Sequence, residues 1–96
     1  MGIDEILKEN REEILRIAAK HGARNIRVFG SVARGEADEK SDIDLLVEME
    51  AGRSLLDMGG FLMDLRLLLG REVDIVTEKG LKERIRARVL QEAVAI

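Results

Sequence analysis

The sequence predicts a small α/β domain, with a mixed sheet of about three strands flanked by helices. Three observations predict it. Apolar residues recur at intervals of three and four in three segments, short runs between them alternate with a period of two, and the two patterns interleave along the chain. A length of 96 residues allows a single domain over residues 1–96, with one core and no room for a second.

The first helix is expected from Ile3 to His21, where Ile6, Leu7, Ile14, Leu15, Ile17 and Ala18 fall near helical spacing and Gly22 supplies a stop. "NIRVFG" then alternates, with Ile26 and Val28 on one face and Arg27 and Phe29 on the other, until Gly30 breaks the first strand. A short helical turn is expected at Ser31 to Arg34, followed by a charged loop. "DIDLLVEM" is the second strand: Ile43, Leu45, Val47 and Met49 share one face, while Asp42, Asp44, Leu46 and Glu48 share the other. Leu55, Met58, Leu62, Leu65 and Leu69 mark a helix over Ser54 to Leu69 that Gly70 ends. Gly59-Gly60 weakens its middle by about 1 kcal/mol per glycine relative to alanine, which a close packing contact there would explain. "EVDIVT" is the third strand, with Val73 and Ile75 opposite Asp74 and Val76, and Leu81 to Val94 closes the chain as a helix.

Composition excludes several functions. No apolar segment approaches the roughly 20 residues of a membrane span, and the acidic N-terminus from Asp4 onward lacks an export pattern, so a cytoplasmic protein is expected. There is no cysteine and one histidine, His21, so any metal must be held by oxygens. A net charge of −3 opposes non-specific nucleic-acid binding, and two aromatics, Phe29 and Phe61, do not make a stacking platform; no direct nucleic-acid binding is expected.

The chemistry sits between Gly30 and Asp44. Residues two apart on a strand share a face, so Asp42 and Asp44 stand roughly 7 Å apart at the backbone, with side chains converging. Two like charges so placed need a cation, and Mg²⁺ is typically held by one or two carboxylates plus waters and phosphates. Asp74 faces away from Val73 and Ile75, so pairing of the strands would give three carboxylates around one site. Gly30 permits close approach of a phosphate, Ser31 offers a hydroxyl at the positive end of the short helical turn, and Arg34 adds charge. The ten residues after Ser31 lead from that turn to the acids, so both can act on one triphosphate.

Each feature also has a plainer reading. An isolated Asp-X-Asp is most often a turn or cap, and its combination with Gly30-Ser31 and Asp74 is what sets this one apart. His21 reads as a helix C-terminal residue, and the basic run Lys79, Lys82, Arg84, Arg86 and Arg88 as a solvated face. Leu62, Leu65, Leu67, Leu68 and Leu69 exceed one helical stripe, so they either bury in two directions or supply a partner surface.

Gly30-Ser31, ten residues, then Asp42-Ile43-Asp44 resembles the Gly-Ser-X10-Asp-X-Asp signature of the polymerase-beta-like nucleotidyltransferases, specifically the minimal nucleotidyltransferases. The resemblance extends over nearly the whole chain, including "GREVDIVT", where Asp74 matches the third carboxylate. It implies a nucleotidyltransferase fold in which Asp42, Asp44 and Asp74 hold two Mg²⁺ ions. Gly30, Ser31 and Arg34 would lie at the nucleotide, and attack on the α-phosphate would expel pyrophosphate. Members of this size resemble the antitoxin of type VII toxin–antitoxin modules, whose partner is an all-helical HEPN ribonuclease toxin. The reaction implied is transfer of AMP from ATP to a tyrosine hydroxyl of that toxin. Size agrees with a partner-supplied acceptor in a homo- or hetero-oligomer, because 96 residues leave no space for an acceptor-binding domain. The alternative is a non-catalytic antitoxin that neutralises its toxin by direct binding.

Overall fold

Among residues 3–38 and 40–96, which the computed structural model describes, the sheet has four strands rather than three. They are β1 (Ala23–Phe29), β2 (Ile43–Met49), β3 (Val73–Thr77) and β4 (Val94–Ala95), in the order β3-β2-β1-β4. β2 and β3 are parallel, whereas β1 runs antiparallel to both β2 and β4. The fourth strand lies where the last helix was expected to end. Two residues carry no alternation to read, yet Val94 pairs with Val28 and Ala95 with Arg27. β1 reaches back to Ala23 through a register irregularity between Arg24 and Arg27, with Asn25 at φ 50°, a left-handed conformation that asparagine tolerates.

The single N-terminal helix of the sequence reading is two helices, α1 (Ile3–Glu9) and α2 (Arg11–Lys20). Asn10 divides them. Its amide Nδ2 donates to the Ile6 carbonyl at 2.8 Å, an example of a short polar side chain competing for backbone groups within a helix. The expected 81–94 helix is likewise shorter: a 3₁₀ turn at Glu78–Gly80 precedes α4, which spans Glu83–Glu92.

α3 (Leu55–Leu69) forms as read, between two well-made ends. Ser54 accepts from the Leu56 amide, Asp57 reaches back to the Ser54 amide at 2.9 Å, and Gly70 closes the helix at φ 64°. Phe61, Leu65 and Leu69 pack against the sheet beside Ile14 and Ala18 of α2, covering Val28, Ile43, Leu45, Val47, Val73 and Ile75. The expected stripe needs one correction, because Leu55 is 84% exposed and Leu56, Met63 and Leu67 are exposed with it. Periodicity could not tell the covered side of a helix that is apolar nearly all round. Of the paired glycines, only Gly60 makes a close contact: a Cβ there would lie 2.7 Å from His21 Cε1, while one at Gly59 would meet nothing within 4 Å. His21 caps α2 and pairs through Nε2 with Asp64 Oδ2 at 2.7 Å, tying α2 to α3.

The opposite face of the sheet carries a smaller cluster, in which Leu46, Phe29 and Val76 meet Leu81, Ile85, Val89 and Leu90. This is the face of the acids. Among the described residues, no helix is long and apolar enough to cross a membrane.

Candidate active site

Burial on one side of the sheet decides where the carboxylates point. Ile43 and Leu45 are fully buried, and Val73 and Ile75 nearly so, in the larger core; strand alternation therefore turns Asp44 and Asp74 to the other face. Asp44 pairs in register with Asp74 on β3 and with Phe29 on β1, so the three form one row across three strands. Asp42 lies two residues ahead of Asp44, just before the first residue of β2.

Gly30 follows Phe29 at φ 75°, and a Cβ on it would sit 2.4 Å from Asp44 Oδ2. Both the backbone angle and the close approach require glycine. The Asp44 carboxyl is held above its ordinary range, chiefly by burial, then by the charges of Asp74 and Asp42; Arg34 opposes the shift and Glu92 adds to it. Asp44 accepts no hydrogen bond among the described residues, so its charge is uncompensated at close range. As the side chains are placed, no group of three or more His, Cys, Asp or Glu among the described residues is gathered around one point. The donor set nonetheless suits a hard divalent cation, since all its ligands are carboxylate oxygens and a cation would relieve their mutual repulsion.

The segment after Gly30 is a single hydrogen-bonded turn at the Ser31 to Arg34 position expected from the sequence, and it does not extend into a helix. The Arg34 amide donates to the Gly30 carbonyl at 3.1 Å, that of Gly35 to Val32 at 3.1 Å, and that of Glu36 to Ser31 at 2.9 Å. Gly35, at φ 72°, bends the chain away before a second turn can form. Val32, 4% exposed, anchors the turn in the core, and Ser31 is half-buried beside it. One turn alone carries little macrodipole. What remains for an anion is the Ser31 hydroxyl and the amides of Ser31, Val32 and Ala33, which have no protein acceptor among the described residues. Arg34 is paired rather than freely solvated, with Nη1 on Glu92 Oε1 at 2.7 Å and Nε on Glu36 Oε2 at 3.1 Å.

Two residues of this region carried no signal in the sequence. Glu92, at the end of α4, accepts from the Gly30 amide at 3.1 Å as well as from Arg34. Arg71 donates through Nη2 to the carbonyls of Asp38 at 3.0 Å and Ser41 at 3.2 Å, and the Ile43 amide donates to Glu72. Those bonds fix the loop that delivers Asp42. The acids do not line the roomiest of the described concavities, a cleft of about 600 Å³ walled by Arg24, Glu48, Thr77, Lys79 and Arg86. That cleft lies toward the other ends of β2 and β3, and its mixed charges show no comparable convergence.

The mixed sheet, with Asp44 beside Asp74 and Gly30 against Asp44, has the form of a nucleotidyl-transfer domain. Residues 3–96 match the nucleotidyltransferase domain family, and the chain belongs to it. Within that family it is a minimal nucleotidyltransferase, an enzyme. It is 42% identical over 94 residues to the protein adenylyltransferase MntA of Thermococcus cleftensis, covering 98% of this chain and 92% of that protein. A Methanocaldococcus jannaschii relative, provisionally named a protein adenylyltransferase, is 42% identical over 90 residues, with 94% and 97% of the two chains covered. A solved structure provisionally described as a minimal nucleotidyltransferase superposes with a TM-score of 0.86 at 54% identity, over 96% of this chain and 94% of that one. The fold is also shared with a toxin–antitoxin complex containing AMP-PNP, at a TM-score of 0.74 and 20% identity, over 90% and 71% of the chains.

Proposed function

We propose that the protein is an antitoxin that transfers AMP from ATP to a hydroxyl, a tyrosine, on a HEPN ribonuclease toxin in the cytoplasm. The observation that carries this reading is the in-register pairing of Asp44 with Asp74 beside Gly30, with Asp42 two residues away. Relatives named as protein adenylyltransferases over nearly the full chain support the nucleotide and the protein acceptor. Asp42, Asp44 and Asp74 are the residues that would hold Mg²⁺, two ions in this reading. Such ions supply charge neutralisation at the attacking and departing oxygens. Gly30 lets the triphosphate approach the backbone, Ser31 and the neighbouring amides bind its oxygens, and Arg34 offsets its charge. Asp74 stands ready to accept the proton of the incoming hydroxyl.

The outer side of α3 supports a protein partner, since Leu56, Met63 and Leu67, which share one side of the helix, and Leu55 at its start are exposed, and exposed apolar residues gathered together mark interaction sites. The same surface favours the second reading, in which the protein silences its toxin by covering it. Co-expression with the toxin separates them. If transfer is the mechanism, growth rescue by the wild type is lost in the Asp42→Ala, Asp44→Ala double variant; rescue that persists in a variant of equal abundance establishes neutralisation by binding.

A further inference from the structure

Glu92 is 62 residues from Gly30 in sequence, yet its carboxylate lies under the turn: Oε2 accepts from the Gly30 amide at 3.1 Å and Oε1 from Arg34 Nη1 at 2.7 Å. One carboxylate thus joins the two parts of the turn best suited to a triphosphate. We propose that Glu92 is a positioning residue for the triphosphate, bracing the Gly30 turn and aiming the Arg34 guanidinium so that its remaining donors face the phosphates. The proposal rests on the nucleotidyltransferase reading of the site.

Burial distinguishes a brace from a plug. The Glu92 side chain is 14% exposed against 43% for Arg34, so Glu92 lies beneath the arginine, and an anion arriving from solvent meets Arg34 without displacing it. A guanidinium is planar with five N–H donors, so bonds from Nη1 to Glu92 and from Nε to Glu36 fix its plane and leave the others for a ligand. Glu92 is itself held. The Ala93 amide closes the last turn of α4 on Val89, Val89 is buried against the sheet, and two residues beyond Glu92 the chain is paired to Val28 as β4. α4 and its short strand therefore carry a carboxylate to a fixed point behind the turn, which accounts for a two-residue strand at that edge. Glu92 does not touch the reacting atoms and acts through Arg34 and Gly30.

The test is titration of the wild type, Glu92→Gln, Glu92→Ala, Arg34→Gln and the Arg34→Gln, Glu92→Gln pair with Mg·ATP and with inorganic tripolyphosphate, alongside thermal melts. Loss of one charge-assisted hydrogen bond to the turn predicts about tenfold weaker binding of both probes by either Glu92 variant. The double variant should bind no more weakly than Arg34→Gln alone. Glu92→Gln keeps an acceptor for the Gly30 amide, so it reports even if Glu92→Ala does not fold. Unchanged affinity in folded Glu92→Gln overturns the proposal, and tighter binding overturns it in favour of a plug. A wild type that binds neither probe removes the nucleotidyltransferase reading along with it, an outcome distinct from wild-type binding that is indifferent to Glu92.

Discussion

Replacing Asp44 with asparagine should stabilise the fold while abolishing transfer. The amide keeps the shape of the carboxylate and gives up no hydrogen bond, because Asp44 accepts none among the described residues. It removes a like charge paired with Asp74 on the neighbouring strand, which is destabilising, and its cost is taken as similar in size to the roughly 0.2–1 kcal/mol of a favourable cross-strand pair. Taking about 0.5 kcal/mol, and about 4–8 °C per kcal/mol for a domain of this size, Tm should rise by about 2–4 °C at pH 7 without divalent ions. The pH dependence has a definite sign. The folded Asp44 carboxyl lies above its ordinary 3.8, so its penalty vanishes at pH well below 3.8, where it is protonated folded or unfolded, develops as pH rises from 3.8, and is complete once pH passes the folded value. The Tm advantage of Asp44→Asn should accordingly close as pH falls toward 3.8. Added Mg²⁺ should stabilise the wild type more than the variant, since an ion bound by the native state shifts unfolding by mass action. Transfer should fall by on the order of a hundredfold or more, as when one preorganised electrostatic group is removed. Calorimetric scans from pH 3 to 8, with chelator and with Mg²⁺, provide the assay. A variant no more stable than the wild type at pH 7, or an advantage independent of pH, would refute the electrostatic reasoning.

Gly30→Ala should cost about 1–2 kcal/mol from its left-handed backbone alone, and should cut transfer sharply because the new Cβ displaces the Asp44 carboxylate; urea unfolding and nucleotide titration check the two effects. Gly59→Ala should stabilise α3 by about 1 kcal/mol, whereas Gly60→Ala should destabilise it by pushing His21 off Asp64. Thermal melts should rank Gly59→Ala above the wild type and Gly60→Ala below it.

Local features of the fold were legible where acids interrupt apolar runs. Asp44 lies between Ile43 and Leu45, and Asp74 between Val73 and Ile75, so their shared face could be read before the strands were placed, although Leu46 is buried on that face too. Register could not, because the Asp44–Asp74 pairing depends on β2 and β3 being parallel neighbours, a property of the crossover through α3. Long-range polar bonds were equally silent: Glu92 sits in a helix of mixed charges, and only the return of the chain as β4 brings it to Gly30. Asn10 interrupts a periodic segment through one side-chain bond to Ile6, a competition that apolar spacing does not register. The turn at Ser31 was legible because Ser-Val-Ala-Arg is compatible with one helical turn, and Gly35 ends it after that single turn.

If Asp42, Asp44 and Asp74 act together in nucleotidyl transfer onto a partner protein, incubation with Mg²⁺, the toxin and ATP labelled at the α- or the γ-phosphate will reveal it. The wild type should label the toxin from α-labelled ATP and not from γ-labelled ATP, and the Asp42→Ala, Asp44→Ala double variant should label it from neither. Equal α-label incorporation by the double variant would show that these acids do not drive the transfer.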